Sequence, residues 1–274
     1  MKKIFCCFVI AILLQDFIYS QEWFIQNSSV TNSNLYSIKF IDEYTGWVVG
    51  DYNTILQTTD GGDTWVTLTS GSEGYRNYSC YFTDVNNGYV VGSSRIRRTT
   101  DGGTSWIDHP IASGHQLNSV FFTNKNTGWT VGYPGEILKT TDGGINWISQ
   151  MDTISESFES VFFVNDTLGY IAGSNFILKT TNSGQDWMVK LDDNSNSLHS
   201  IYFTDENTGY AVGSTYDVGW HKCILKTTDG GNTWLYVSIG ITDDWLLNSV
   251  FFVNRDTGWV AGYGADFRKT IDGG

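Results

Sequence analysis

The sequence predicts an all-β protein folded as a β-propeller of six blades, each with four antiparallel strands. Three observations lead to this prediction. A stretch that ends in Asp-Gly-Gly-x-x-Trp recurs along the chain, and serines that open each repeat are spaced 40 to 42 residues apart except around the fifth repeat. Each interval holds four short strand signals. No window shows the 3.6-residue period of an amphipathic helix, and four strands per ~40–45 residues are typical of a propeller blade.

The recurring stretch is most regular at residues 137–147, which read ILKTTDGGINW. Asp-Gly-Gly tolerates positive φ, and the Asp and Thr oxygens can accept hydrogen bonds from the amides of their own turn. Trp then begins the return strand and buries part of its ring, so Trp anchors the unit and Asp shapes the turn. We assign this structural role to Asp60, Trp65, Asp101, Trp106, Asp142, Trp147, Trp187, Asp229, Trp234 and Asp272. In the fourth repeat Asn182 and Ser183 replace Asp-Gly, which predicts a looser turn.

The third repeat shows the four strand signals in order. Residues 118–122 and 128–132 are β-branched and aromatic, residues 136–140 lead into the turn, and the fourth strand follows Trp147. The same pattern places a serine in each first strand and an aromatic residue in each second strand. The serines are Ser37, Ser79, Ser119, Ser160, Ser200 and Ser249, and the aromatic residues are Trp47, Tyr89, Trp129, Tyr170, Tyr210 and Trp259.

Residues 1–20 predict a signal peptide. Lys2 and Lys3 precede an apolar run from Ile4 to Leu14, and Ser20 is a small residue at a cleavable position. The run is too short to span a bilayer comfortably. We therefore expect a secreted, periplasmic or cell-surface protein whose residues 21–274 form one propeller domain.

The charge balance limits the partners. Sixteen basic and 29 acidic residues give a formal net charge of −13. Such a surface repels nucleic acid and anionic membranes, so we expect neither nucleic-acid binding nor membrane insertion. Cys80 and Cys223 fall in the second and fifth repeats, too far apart in a ring for a disulfide, and are expected to be buried thiols.

The repeat resembles a known family. Thr-x-Asp-x-Gly-x-x-Trp resembles the Asp-box, or BNR repeat, of sialidase-like propellers. The longer unit, with Ser-Val-x-Phe, Gly-Trp-x-Val-Gly and Ile-Leu-Lys-Thr-Thr-Asp-Gly-Gly-x-x-Trp, is similar to photosystem II stability/assembly factor repeats. The resemblance covers residues 21–274. It implies a propeller fold and work in protein assembly, on photosystem II if the source is photosynthetic.

Candidate binding residues lie in and after an insertion in the fifth repeat. In such a propeller the Asp turns lie on the face opposite the usual binding face, which carries the second-to-third loops and the loops between blades. These loops are short except in the fifth repeat. The insertion and the next inter-blade loop bring together Tyr216, Asp217, Trp220, His221, Asp243, Asp244 and Trp245. Aromatic residues beside carboxylates suit a protein partner or a sugar, although both tryptophans could instead cap the propeller end.

The sequence does not favour either of two enzyme classes. A sialidase needs converging arginines and the Arg-Ile-Pro motif, which is missing, and alternation along the strand predicts that Arg95, Arg97 and Arg98 do not converge. These arginines are expected to be solvated or salt-bridged, or to mark a docking patch for an acidic partner. A glycosidase needs two carboxylates in one groove, but the loop carboxylates fall on different blades: Asp51, Glu136, Asp217 and Asp266. No metal-ligand spacing is present, so we expect no metal and no cofactor.

The N-terminal strand is expected to close the ring. Residues 21–25 read as a fourth strand without the first three, and the last repeat stops at Gly274 before its Trp. Joining the two restores the box, which predicts that the Trp23 strand pairs with residues 267–270 as the outer strand of blade six. The competing interpretation is a truncated chain that lacks further repeats or a C-terminal sorting domain.

The sequence thus favours a secreted, monomeric, non-enzymatic scaffold that binds a protein partner. The alternative is a propeller that binds or cleaves surface glycans.

Overall fold

The computed structural model describes residues 31–69, 74–112, 114–151, 154–216, 220–237 and 246–274. These residues form a β-propeller, as the sequence predicts. The strands are β1 (Leu35–Phe40), β2 (Gly46–Gly50), β3 (Ile55–Thr58), β4 (Val66–Thr69), β5 (Asn77–Phe82), β6 (Gly88–Gly92), β7 (Arg95–Thr99), β8 (Ile107–Pro110), β9 (Gln116–Phe122), β10 (Gly128–Tyr133), β11 (Glu136–Thr140), β12 (Ile148–Met151), β13 (Phe158–Phe163), β14 (Gly169–Thr180), β15 (Met188–Phe203), β16 (Gly209–Tyr216), β17 (Trp220–Thr227), β18 (Leu235–Tyr236), β19 (Leu247–Phe252), β20 (Gly258–Gly262) and β21 (Phe267–Thr270). A short 3₁₀ helix, Tyr263–Ala265, joins the last two strands.

The described strands form five antiparallel sheets, so the prediction of six blades is wrong. Three sheets have four strands each, β1–β4, β5–β8 and β9–β12. The fourth sheet has six strands, β13–β18, and the fifth has three, β19–β21. Repeats four and five share the six-stranded sheet.

The merger arises because the connection between these two repeats stays extended. β15 runs for 16 residues, from the outer edge of repeat four into the inner strand of repeat five. Phe176 pairs with Asp192 on one side, and Asn196 pairs with Thr215 on the other. Asp193 holds the connection in place, because its carboxylate accepts hydrogen bonds from the Ser195 hydroxyl at 2.6 Å and the Asn196 amide at 2.9 Å.

Neighbouring repeats are linked through the first-strand serines. The Ser79 hydroxyl oxygen accepts a hydrogen bond from the Val120 amide at 3.3 Å, and Ser119 does the same for Val161 at 3.2 Å. Ser37, Ser160 and Ser200 make the equivalent bond to the next inner strand. The first strands of neighbouring repeats do not pair directly with each other, so the serine hydroxyl joins their backbones.

Aromatic stacking fills each interface between repeats. The ring of the second-strand aromatic residue lies flat on the first-strand Phe of the next repeat. The five pairs, with centroids 3.6–4.2 Å apart, are Trp47–Phe82, Tyr89–Phe122, Trp129–Phe163, Tyr170–Phe203 and Tyr210–Phe252. A glycine opens each second strand because a Cβ at Gly128, for example, would lie 2.6 Å from the ring of Phe122. All ten of these stacked rings are buried, whereas most of the box tryptophans are half-buried.

The packing changes at the two ends of the array. Ile38 in β1 is 59% exposed, whereas its counterpart in the next repeat, Cys80, is 4% exposed. Trp259 is half-buried, and among the described residues no Phe of a following repeat stacks on it. The predicted pairing of the Trp23 strand with β21 lies outside the described residues.

The Asp turn has the predicted chemistry. In the third repeat the Asp142 carboxylate accepts hydrogen bonds from the Thr140 hydroxyl and the Asn146 amide, both at 2.9 Å. Gly143 and Gly144 have φ of 70° and 75°, which glycine adopts without strain. The prediction of a looser turn in the fourth repeat is wrong. Asn182 accepts the same two hydrogen bonds there, both at 3.0 Å. The box tryptophans are half-buried, except Trp187, which is buried.

The box carboxylates predict a loss of stability in acid. Hydrogen bonds from the residue four places on, through its side chain or backbone amide, hold the pKa of Asp60, Asp101, Asp142 and Asp229 at about 2, against an ordinary 3.8. A depressed folded-state pKa stabilises the protein above the unfolded-state pKa, and this stabilisation is lost as the pH falls from about 4 to about 2. We expect the melting temperature to fall across that window.

Replacing these four aspartates by Asn should flatten that fall, since Asn182 shows that an amide supports the same turn without titrating. Asp63→Asn, at a variable position of the first box, is the control for the loss of a negative charge alone. Equal pH profiles for wild type and the four-fold variant, measured by thermal melts, would contradict this account.

Both described cysteines are free and buried, as predicted, and burial raises the pKa of each thiol to about 12. None of the helical residues that the structure describes belongs to a helix long and apolar enough to cross a membrane.

Candidate functional site

The loops divide between two faces of the propeller. The Asp turns contact the first-to-second turns, because the amide of Gly61 bonds to the carbonyl of Tyr44, and the amide of Gly143 to that of Asn126, both at 2.9 Å. The second-to-third loops contact the inter-repeat loops instead, as Asn53 does by bonding to the carbonyl of Tyr75 at 3.0 Å. We call the second of these surfaces the loop face. Its position opposite the Asp turns is the one predicted for binding.

The structure places part of the predicted binding set on a β-hairpin. Tyr216 ends β16, is 51% exposed and pairs with Trp220, the first residue of β17. His221 is half-buried and pairs with Thr215. The remaining members, Asp217, Asp243, Asp244 and Trp245, lie outside the described residues. The described part of the chain therefore shows that the insertion extends the hairpin, and its binding role stays a prediction.

Two arginines of the second repeat converge, contrary to the prediction. Arg95 and Arg97 are two residues apart, so both side chains leave the same side of β7. Both donate to the Asn53 side-chain oxygen at 2.8 Å, and both contact the Asp108 carboxylate at 3.0–3.1 Å. Arg98 alone points to the opposite side of the strand. The pair is salt-bridged, as one of the sequence alternatives proposed.

A polar pocket of about 390 Å³ lies beside these arginines on the loop face, between the first three repeats. Tyr52 and Tyr75 line it and are 55% and 42% exposed. Arg76 also lines it, with 59% of its side chain exposed, while its Nε lies 3.2 Å from the Asp51 carboxylate. The Arg95 guanidinium packs over the ring of Tyr75 at 4.0 Å. This cluster, which we call the arginine–tyrosine pocket, brings cationic and aromatic groups together around an open polar space.

Sequence reasoning missed most of this pocket. Its residues come from a second-to-third loop, an inter-repeat loop and the start of β5, and each is unremarkable alone. One signal in the sequence could have indicated the pocket. Tyr75 and Arg76 come immediately before β5, and the following repeats have no arginine at that place.

The loop-face carboxylates are paired with bases rather than with one another. Glu136 accepts from His115 at 2.7 Å. Asp266 contacts Lys222 at 2.6 Å and Arg268 at 2.9 Å. Burial alone would raise the pKa of Asp266, but the hydrogen bonds and charges of Lys222 and Arg268 outweigh it and lower that pKa. Among the described loop-face carboxylates, Glu136 and Asp266 are therefore held by basic side chains and are not paired with a second carboxylate, as glycoside hydrolysis requires.

No group of three or more His, Cys, Asp or Glu side chains in the described ranges could hold a metal ion. The expectation of no metal and no cofactor stays a prediction for the whole chain.

Fold and loop face together define a β-propeller with a polar, partly cationic pocket on the face that carries its inter-repeat loops. A family model described as photosynthesis system II assembly factor YCF48 matches residues 16–112, 72–153 and 111–194, which is more than half of the chain. The chain belongs to this family of BNR-type propellers.

Solved structures agree on the fold. YCF48 bound to D1 peptide is 22% identical, with a TM-score of 0.71 over 89% of this chain and 80% of that one. YCF48 from Cyanidioschyzon merolae is 20% identical, with a TM-score of 0.57 over 88% and 96%. An ancestral GH74 enzyme is 14% identical, with a TM-score of 0.70, and the match covers 86% of this chain but 36% of the enzyme. A comparison with curated proteins finds no match.

Proposed function

We propose that this chain is a non-enzymatic scaffold that holds a segment of a protein partner in the arginine–tyrosine pocket during assembly of a larger complex. Membership of the assembly-factor family supports the assembly role. The observation that carries the binding role is the pocket itself, where Arg76, Tyr52 and Tyr75 are exposed around about 390 Å³ of open space.

The pocket chemistry suits a peptide carboxylate. Asp51 leaves most of the Arg76 side chain exposed, so its guanidinium can still donate to a bound carboxylate. Arg95 and Arg97 together face the single carboxylate of Asp108, which leaves one positive charge in excess beside the pocket. In a chain of net charge −13, this excess favours an acidic segment locally. The exposed tyrosine rings supply apolar contact area with a polar tip.

The D1 peptide bound by the similar YCF48 supplies a probe. We expect a fluorescently labelled D1 peptide to bind this chain, and Arg76→Ala to weaken binding about 10- to 100-fold because it removes charge-assisted hydrogen bonds. Arg255→Ala is the matched control, since Arg255 is an exposed arginine in the β19–β20 turn on the opposite face. Fluorescence anisotropy measures both. No binding to wild type, or equal losses for the two variants, would refute the proposal.

Hydrolysis of surface glycans is less well supported. The GH74 likeness shows the fold alone, and the described loop-face carboxylates are tied to bases. Export through the signal peptide at residues 1–20 and a monomeric state stay part of the proposal. We further propose that the hairpin with Tyr216 and Trp220 is a second contact surface for the same partner.

A further inference from the structure

Every described first strand of the propeller has a β-bulge at the same place. In the third repeat, Leu117 and Ser119 pair with successive residues of β10, so Asn118 between them has no partner in the ladder. The other five first strands show the same one-residue shift before their serine. A bulge redirects one side chain and is common beside functional sites. We call the six bulged residues the bulge ring: Tyr36, Tyr78, Asn118, Glu159, His199 and Asn248.

The bulge ring varies in composition, whereas the positions beside it are nearly constant. A serine follows the bulged residue in all six repeats, and an apolar residue precedes it in five. The bulged residues are two tyrosines, two asparagines, a glutamate and a histidine, and each is half-buried or exposed. Packing inside the propeller therefore does not select these side chains, and their place suits them to selecting a partner.

The bulge ring lies at the loop-face end of the first strands. The inter-repeat loops enter the first strands on that face, and each bulge follows within the first few residues of pairing. First strands of successive repeats contact one another around the ring of repeats. Bulged residues of neighbouring repeats can therefore meet, as the rings of Tyr36 and Tyr78 do at 5.4 Å between centroids.

Hydrogen bonds connect the bulge ring to the arginine–tyrosine pocket. Tyr78 and Gln116 both line the pocket. The Gln116 side-chain amide donates to the Asn118 side-chain oxygen at 2.7 Å. Asn118 donates to the Ser157 hydroxyl at 3.3 Å, and Ser157 donates to the Glu159 carboxylate at 2.6 Å. A continuous polar path thus leads from the pocket to Glu159 along the loop face.

Glu159 gives the far end of this path a negative charge. Its carboxylate accepts from Ser157, and none of the ion pairs among the described residues includes it. Burial lowers the pKa of the next bulged residue, His199, below its usual 6.5, although the Glu159 charge acts in the opposite direction. His199 is therefore neutral at neutral pH and does not cancel the charge of Glu159. The near end of the path, at Arg76, is positive.

We propose that the bulge ring selects the partner segment by charge, with a carboxylate of the segment in the arginine–tyrosine pocket and a lysine or arginine of the segment beside Glu159. This inference rests on the proposed function and adds a direction to it. A segment bound the other way round would bring like charges together at both ends of the path, which disfavours the reversed orientation.

A charge scan of the D1 peptide tests this inference. Each residue of the labelled peptide is replaced in turn by lysine and, separately, by norleucine, an unbranched side chain without charge. At one position or more, we expect the lysine peptide to bind the wild-type chain at least about fivefold more tightly than the norleucine peptide, measured by fluorescence anisotropy. In Glu159→Gln, whose amide oxygen can still accept from Ser157, this ratio should fall to about one. Glu156→Gln removes an exposed carboxylate before the same strand and, as the matched control, should keep the ratio.

Charge reversal provides a second test. At the position that the scan identifies, Glu159→Lys should bind a glutamate peptide at least about fivefold more tightly than the lysine peptide. The inference is overturned if the wild-type chain shows no lysine preference at any position, or if Glu159→Gln weakens the lysine and norleucine peptides equally. Binding that depends on Arg76 without any lysine preference would remove this inference alone. If no peptide binds, the proposed function fails together with it.

Discussion

Trp129→Ala is expected to lower the free energy of unfolding by about 3–5 kcal/mol. The side chain is fully buried, stacks on Phe163 at 3.7 Å and lies under the Lys139 ammonium at 5.3 Å. Removing it leaves a cavity at the interface between two repeats, which the flanking backbones cannot close because the serine bridges fix their separation. Urea denaturation measures the change.

Two variants make this prediction specific. Trp129→Phe should lower the free energy of unfolding much less than Trp129→Ala does. The ring stack is kept, and the indole N–H has no hydrogen-bond partner among the described residues. Ile148→Ala, 64% exposed on an outer strand, should change the unfolding free energy by less than about 0.5 kcal/mol. Similar unfolding midpoints for Trp129→Ala and Ile148→Ala would show that the stacked rings do not hold the repeats together.

Asp266→Ala is expected to destabilise the protein by about 3 kcal/mol. Lys222 has 5% of its side chain exposed and lies 2.6 Å from the Asp266 carboxylate, so the substitution leaves a buried ammonium without its partner. The pair joins the fifth and sixth repeats, and the loss should appear in urea melts at neutral pH. Because the pKa of Asp266 is lowered below 3.8, the pair's contribution is complete at neutral pH and is lost as the pH falls below about 4.

The double variant Asp266→Ala with Lys222→Met tests the cause. Removing both charges should recover a large part of the loss, because an apolar side chain costs no desolvation there. A double variant less stable than Asp266→Ala alone would show that the lysine is not the source of the penalty.

The sequence was sufficient for features that lie within one repeat. Thr140, Asp142 and the two glycines after it predict the turn, because their hydrogen bonds join residues at most four positions apart. The alternation of apolar residues predicts the strands for the same reason. The role of the first-strand serines was not predicted, since Ser79 acts on Val120, a whole repeat away.

The candidate site likewise has features that the sequence predicted and features that only the structure shows. The loop face was predicted from the topology of a blade, and the insertion with Tyr216 from the length of the fifth repeat. That the insertion extends the β16–β17 hairpin is seen only in the structure. The prediction that the arginines of β7 do not converge was wrong for Arg95 and Arg97. The two-residue period of a strand places both side chains on the same side. The arginine–tyrosine pocket could not be read from the sequence because Tyr52 and Arg76 meet only when two repeats pack together.

By itself, the sequence determined the all-β repeat, its Asp turns and the family to which the chain belongs, since these depend on local hydrogen bonds and on side chains at fixed spacing. Only the tertiary structure decided the number of sheets, the partners of the loop-face charges and the changed packing at the two ends. The physical reason is that contacts between repeats depend on how neighbouring repeats are positioned relative to one another, which the sequence of a single repeat does not specify. A connection such as Asp192 to Asn196 can either break or continue a sheet with little change in its own composition.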